Sequence, residues 1–323
     1  MNTYLSPKVH TMAYWGQYNV FARRETYTAG SVFLYGTIAT MSLILSICVS
    51  VYSAVLGADE AGYIPFWKQS HLYPNGFTMD SSVGSIYWVV LFLAQFGHLG
   101  HFFCDNDAYT NSAASTAAHV VTNNVLHVAF VLLFCHSFFY SAEVILILNF
   151  VNLSALYFRQ GPHARSVQHL PSSGPLAWTF VSIYWNLAIA LAHRGVETQI
   201  FGLIFIWSPL GYGLFAFIAY KDVTMIMCLG ILAAATGVGQ LSIKAKLAHL
   251  IPPFLVAGLL LVLCLLAAIA GRGSETIGNN EKNGVDCGSP QAEDEESGAD
   301  EQMTRERRIC SQVCPPLYWS TAG

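Results

Sequence analysis

Thr116, His119, Asn123 and His127 follow one another at steps of three or four residues through a stretch that is otherwise apolar. At about 100° per residue they fall within an arc of roughly 80° on one helix, with Asn124 directed away from it. Asn149 and Asn152 lie one helical step apart in the next apolar run, and Thr179, Ser182, Asn186 and His193 share a face in a third. Rows of imidazoles and carboxamides can pass protons through intervening water or hold a small polar solute. His119 and His127 stand about 12 Å apart along a helix, too far to share one metal ion or to exchange a proton directly. Glu143 is a carboxylate inside the predicted core, and its place early in a helix supports two readings: it meets the unpaired N–H groups there, or it handles protons.

The elements that must position these groups are long and greasy. Of 323 residues, 54% are hydrophobic and 11% charged, where a soluble domain carries about 25% charged residues. Eight apolar runs, 31–57, 81–103, 117–139, 141–158, 174–193, 199–220, 223–240 and 248–270, are long enough to cross hydrocarbon as helices. The predicted fold is therefore all-α, a polytopic transmembrane bundle of about eight spans with a disordered C-terminal tail. Residues 1–30 form a cytosolic N-terminal segment, 31–270 the helical domain and 271–323 the tail. An unpartnered amide in hydrocarbon is costly, so the polar rows are expected to face other helices or a wet cavity.

Eleven of the fifteen Lys and Arg residues fall on one side if both termini are cytosolic, against Lys68, Arg194, Lys244 and Lys246 on the other. This bias sets the expected orientation. The loop 58–80 carries Tyr63, Phe66, Trp67, Tyr73 and Phe77 with Pro65, Pro74 and Gly76, a composition suited to a membrane interface or to a lid. Ser42, Ser46, Ser50 and Ala54 form a small-residue ridge that lets a second helix approach closely. Pro209 removes a backbone hydrogen bond and should break or kink its helix near Phe205. The tetrapeptide Ser85-Ile86-Tyr87-Trp88 recurs as Ser182-Ile183-Tyr184-Trp185, in spans that run in opposite directions. An inverted repeat of three helices would leave such a trace.

Several chemistries lack their motifs. The chain carries no phosphate-binding glycine loop, no HExxH, no nucleophile elbow and no repeated histidine boxes. No catalytic residue, metal or cofactor is assigned; His98 and His101 lie at a helix end where water solvates them, and Cys310 and Cys314 are spaced too loosely for a metal half-site. No Lys or Arg lies well inside a predicted span, which argues against a retinal Schiff base and against an anion path. The net charge of −4 comes largely from the acidic tail, so the surface does not suit nucleic acid.

The chain resembles a fungal family of multi-pass membrane proteins of unknown function. The resemblance is carried by FARRETY at 21–27, SIYWVVLFLAQFGH at 85–98, NNVLHVAFVLLF at 123–134, AEVILILNFVNLSALYFR at 142–159, SGPLAWTFVSIYWN at 173–186 and YGLFAFIAYKDVTM at 212–225. It implies a fungal integral membrane protein and no particular activity, and the acidic tail departs from the family's usual ending. Two functional readings follow from the residues. In the first, His119, Asn123, His127, Asn149, Asn152, Asn186 and His193 meet as a polar site through which a small solute or protons move across the lipid bilayer. In the second, the same groups are bonds between helices in a structural or accessory protein. A membrane enzyme acting on a lipid or apolar metabolite is a third class without a supporting motif.

Overall fold

The structure, a computed structural model, describes residues 21, 26–56, 62–104, 106–159 and 162–284, with the backbone alone at 162–170 and 270–284. Most of segment 1–30 and the tail beyond 284, with Cys310 and Cys314, lie outside the described residues. Among the described residues all regular structure is helical: α1 (Ala29–Val51, continued by a π turn to Leu56), α2 (Phe66–Leu72), α3 (Ser81–Gly100, continued by a 3-10 turn to Phe103), α4 (Asp107–Cys135), α5 (Phe139–Arg159), α6 (Pro162–His193), α7 (Gln199–Phe205), α8 (Ser208–Tyr220), α9 (Val223–Ser242) and α10 (Leu247–Gly284). With α7 and α8 taken together, eight of these runs are long and apolar enough to cross a membrane.

Side chains mark several of the helix starts. Thr28, Asp80, Asn106 and Asp222 each accept a hydrogen bond from a free N–H in the first turn of α1, α3, α4 and α9. The cap at Asn106 explains why α4 begins at Asp107, well ahead of the expected 117. The α7–α8 pair breaks at Ile206 and Trp207, where Pro209 cannot donate to the carbonyl of Phe205. Ser208 Oγ donates to that freed carbonyl at 2.7 Å, so the break leaves no orphan there. α6 starts at Pro162 and runs through Pro171 and Pro175, taking into a helix a stretch expected to be a loop.

Neighbours in sequence pack side by side, α4 on α5, α5 on α6 and α9 on α10, while α1 packs on α4 and α6 also against α9 and α3. In α6 and α9, 67% of the apolar stretch is buried, whereas in α10 the figure is 22%. α10 thus sits at the periphery and turns Leu255, Leu259, Val262 and Leu266 outward, as its nearly pure hydrocarbon composition suggests. The two Ser-Ile-Tyr-Trp segments meet through Trp178, whose ring lies 4.8 Å from Trp88 and 6.3 Å from Trp185.

The loop before α3, rich in aromatic residues and proline, does not stand clear of the helices. It enters the bundle. Phe66, Gln69, Ser70, Phe77, Thr78 and Met79 are all buried, with Phe66 packed on Phe134 at 4.8 Å and on Trp185 at 5.5 Å. Non-helical backbone buried among helices needs protein partners for its polar groups. They are present: Gln240 Nε2 donates to the Asn75 carbonyl at 2.8 Å, the Asp80 N–H to the Ala235 carbonyl at 3.0 Å, and the Ile64 N–H to the Cys135 carbonyl at 2.9 Å. Glycines make room for the insertion, since a Cβ on Gly76 would stand 2.8 Å from Gly202 Cα and one on Gly239 would strike the backbone of Thr78 to Asp80.

Gly239→Ala should therefore unseat this plug and cost about 1–3 kcal/mol, the usual penalty of forcing volume into a packed site. Gly258→Ala, where a Cβ meets nothing within 4 Å, should be neutral or slightly stabilising. Thermal unfolding of the two variants in detergent measures the difference.

Candidate functional site: a polar row between α1, α4 and α5

The polar face of α4 is covered by α1 on one side and α5 on the other. Asn149 Nδ2 of α5 donates to Asn123 Oδ1 at 3.0 Å, Asn123 Nδ2 donates to Asn124 Oδ1 at 3.3 Å, and Asn124 Nδ2 donates to Ser42 Oγ of α1 at 3.2 Å. Ser42 passes its own proton to the Ala39 carbonyl at 2.8 Å. Asn124, expected to point away from the row, leaves the helical arc yet rejoins the network through Ser42. The serine ridge of α1 thus packs closely and also accepts hydrogen bonds.

The histidines occupy separate positions along the row. Asn152 Nδ2 donates to the His119 carbonyl at 3.0 Å, so Asn152 Oδ1 is left to accept, and His119 Nδ1 donates to it at 2.8 Å. In the neutral ring this leaves His119 Nε2 bare; it has no hydrogen-bond partner among the described residues, and the ring of Phe21 lies 5.0 Å away. Arg159 holds the Phe21 carbonyl at 2.6 Å. His127 Nε2 pairs with Ser50 Oγ at 3.0 Å, and its ring lies 3.9 Å from that of Trp88. Thr116 pairs with His98 Nε2 at 3.2 Å. Near the plug, burial raises the Tyr63 hydroxyl above its ordinary range, which keeps it protonated and a donor at neutral pH.

A cavity with about 20 Å³ open to the centre of a water molecule lies beside the row. Its polar lining is Ser46 from α1, Gln95 from α3, Asn123 and His127 from α4, Asn149 from α5 and Thr179 from α6, with Trp88 and Trp178 among its walls. One water needs roughly 10–15 Å³ on this measure, so the space does not admit a metabolite.

Of the polar residues singled out in the sequence, Asn123, His127, Asn149 and Thr179 reach this cavity, and His119 and Asn152 form a pair further along α4. Asn186 and His193 are elsewhere. Asn186 Nδ2 donates to Glu143 Oε2 at 2.8 Å and to the Phe139 carbonyl at 2.9 Å, and His193 Nδ1 pairs with the exposed hydroxyl of Tyr73 at 3.0 Å. Glu143 is the fifth residue of α5, and the bond it makes reaches across to α6 instead of capping its own helix. It is not the sole buried carboxylate: Asp222, 1% exposed, caps α9 and accepts from Ser173 Oγ at 2.6 Å.

The geometry can be set beside known proteins. Residues 199–297 match the family described as a fungal protein of unknown function (DUF1774). No curated protein and no solved structure matches the chain. The DUF1774 stretch begins at α7 and takes in α8, α9 and α10. It is narrower than the resemblance suggested: of the blocks that carried the likeness only YGLFAFIAYKDVTM at 212–225 falls inside it, while its far end runs into the acidic tail. The polar row on α1, α4 and α5 lies outside the DUF1774 match, whereas Gln240 and Gly239, which receive the plug, lie within it.

Gln95 and Ser46 were not singled out for the row by sequence reasoning. Gln95 shares a face with Leu91 and His98 at steps of four and three, a pattern that places it inward, and both neighbours are buried. Ser46 was read as a packing residue because a serine ridge carries the same signal whether or not its hydroxyls are used. Removing the partner of a buried carboxylate is the sharper test of these contacts. Asn186→Leu should lower stability by about 1–3 kcal/mol, the cost of leaving buried acceptors without a donor, while Glu143→Gln retains an acceptor and should cost less than half as much. Unfolding midpoints of the two variants in one detergent provide the comparison.

Proposed function

We propose that this is a non-catalytic integral membrane protein, structural or accessory in role, whose polar rows bind helices to one another. One observation carries the reading. The side-chain amino groups of Asn123, Asn124, Asn149, Asn152 and Asn186 each donate to an oxygen of the protein itself, and the space beside Asn123 and Asn149 has room for about one water. A solute site would need room for its cargo beside such groups, whereas here each amide already holds a neighbouring group and the space left is water-sized. Hydrogen bonds of this type between membrane helices contribute about 0.6 kcal/mol each and are common. The excess of Lys and Arg on one side supports a placement with both termini in the cytosol, which the even number of crossings permits.

Transport is the second reading, and a specific observation favours it: unspent acceptors lie along the row at His119 Nε2, Asn149 Oδ1 and Gln95 Oε1. In this conformation such a path would suit protons, with a small solute requiring the helices to part. Proteoliposomes loaded with a pH-sensitive dye separate the two. The wild-type protein is expected to dissipate a pH gradient no faster than protein-free vesicles, and Asn123→Ala and His127→Ala to lower the unfolding temperature without altering that rate. Flux by the wild type that either variant abolishes while still folded would replace the accessory reading with transport.

A further inference from the structure

The amide chain has a direction, and that direction leaves one oxygen without a donor. The Ala39 carbonyl can only accept, so Ser42 must give it its proton and must accept from Asn124 Nδ2. Asn124 Oδ1 then accepts from Asn123, and Asn123 Oδ1 from Asn149, whose own Oδ1 remains unspent. Asn149 lines the cavity, as do two other residues with an unpartnered polar atom among the described residues, Ser46 at Oγ and Gln95 at Oε1. The three are 5%, 1% and 5% exposed in that order. They come from α5, α1 and α3, so no one helix could satisfy them.

We infer that this cavity binds a single ordered water molecule, which donates to Asn149 Oδ1 and Gln95 Oε1 and accepts from the Ser46 hydroxyl. The count balances: two donors and an acceptor on the water meet two carbonyl oxygens and one O–H, the three bonds typical of a buried water. If the Gln95 amide were turned over, the same water would accept from its amino group. A bare cation fits less well, since it requires about six oxygens and usually a carboxylate, and the lining supplies no carboxylate. The water thereby joins α1, α3 and α5 at membrane depth. The assignment holds whether the rows only bind helices or also move a cargo.

An experimental structure of the full chain at a resolution that shows waters tests this directly, with samples prepared in sodium chloride and in choline chloride. A single density peak about 2.7–3.2 Å from all three side chains in both salts is expected. A dry cavity overturns the assignment, as does a peak about 2.4 Å from its ligands that appears only with sodium, which would be a cation. A thermal double-mutant cycle gives a second readout, because Ser46 and Gln95 make no direct hydrogen bond. Ser46→Ala and Gln95→Met should be non-additive, the second substitution lowering the melting temperature by less than half of what it does alone; additive shifts overturn the bridge.

Discussion

Hydrocarbon offers no hydrogen bonds, and that constraint decides which way the polar side chains of α4 turn. Each amide finds its partner on a neighbouring chain segment, and the order of partners is fixed from one end by a backbone carbonyl that cannot donate. The arrangement does more than lower the energy of buried groups. Sliding α5 or α1 by a turn along α4 would break several bonds at once, so the relay also sets the register between three helices that are otherwise covered in interchangeable apolar side chains. Polar groups retained in an apolar setting are best understood as specifying one arrangement among many of similar packing energy.

The second organising feature is the plug formed by the loop before α3. Its aromatic side chains fill the space between α4 and α6, where Phe66, Phe130, Phe134 and Trp185 form one cluster. Its backbone is satisfied by α9 and α4. The cluster lies past His127 on α4, toward the end of the bundle where the α4–α5 and α6–α7 turns also lie. The polar row is thus covered by aromatic rings on the plug side and has Phe21, held by Arg159, against His119.

Much of the framework is written in local sequence. Eight apolar runs give eight helical stretches long and apolar enough to cross a membrane, Asp80 and Asp222 stand where helices start, and Pro209 stands where one breaks. The face shared by Thr116, His119, Asn123 and His127 is also local, because helical periodicity alone puts them together. What could not be read is whatever depends on a distant partner. Glu143 looks like a cap until Asn186 is brought to it from α6. The plug has the tyrosines, tryptophan and prolines that an interfacial loop would carry, and Gly76, Gly84, Gly202 and Gly239, each ordinary alone, leave the room that its burial needs. Ser46 and Gln95 acquire meaning through a cavity that no single helix contains.

The seat of the plug carries a consequence for how the chain is made. Residues 62–80 leave the ribosome early, yet the groups that hold them, Gly202, Ala235, Gly239 and Gln240, are synthesised more than a hundred residues later. Until α9 has entered the bilayer, the loop has no protein surface to satisfy its backbone and must wait in water or at the headgroups. The tertiary structure of the first quarter is therefore completed only after α9 has been made, a topology of long sequence separation of the kind that slows folding.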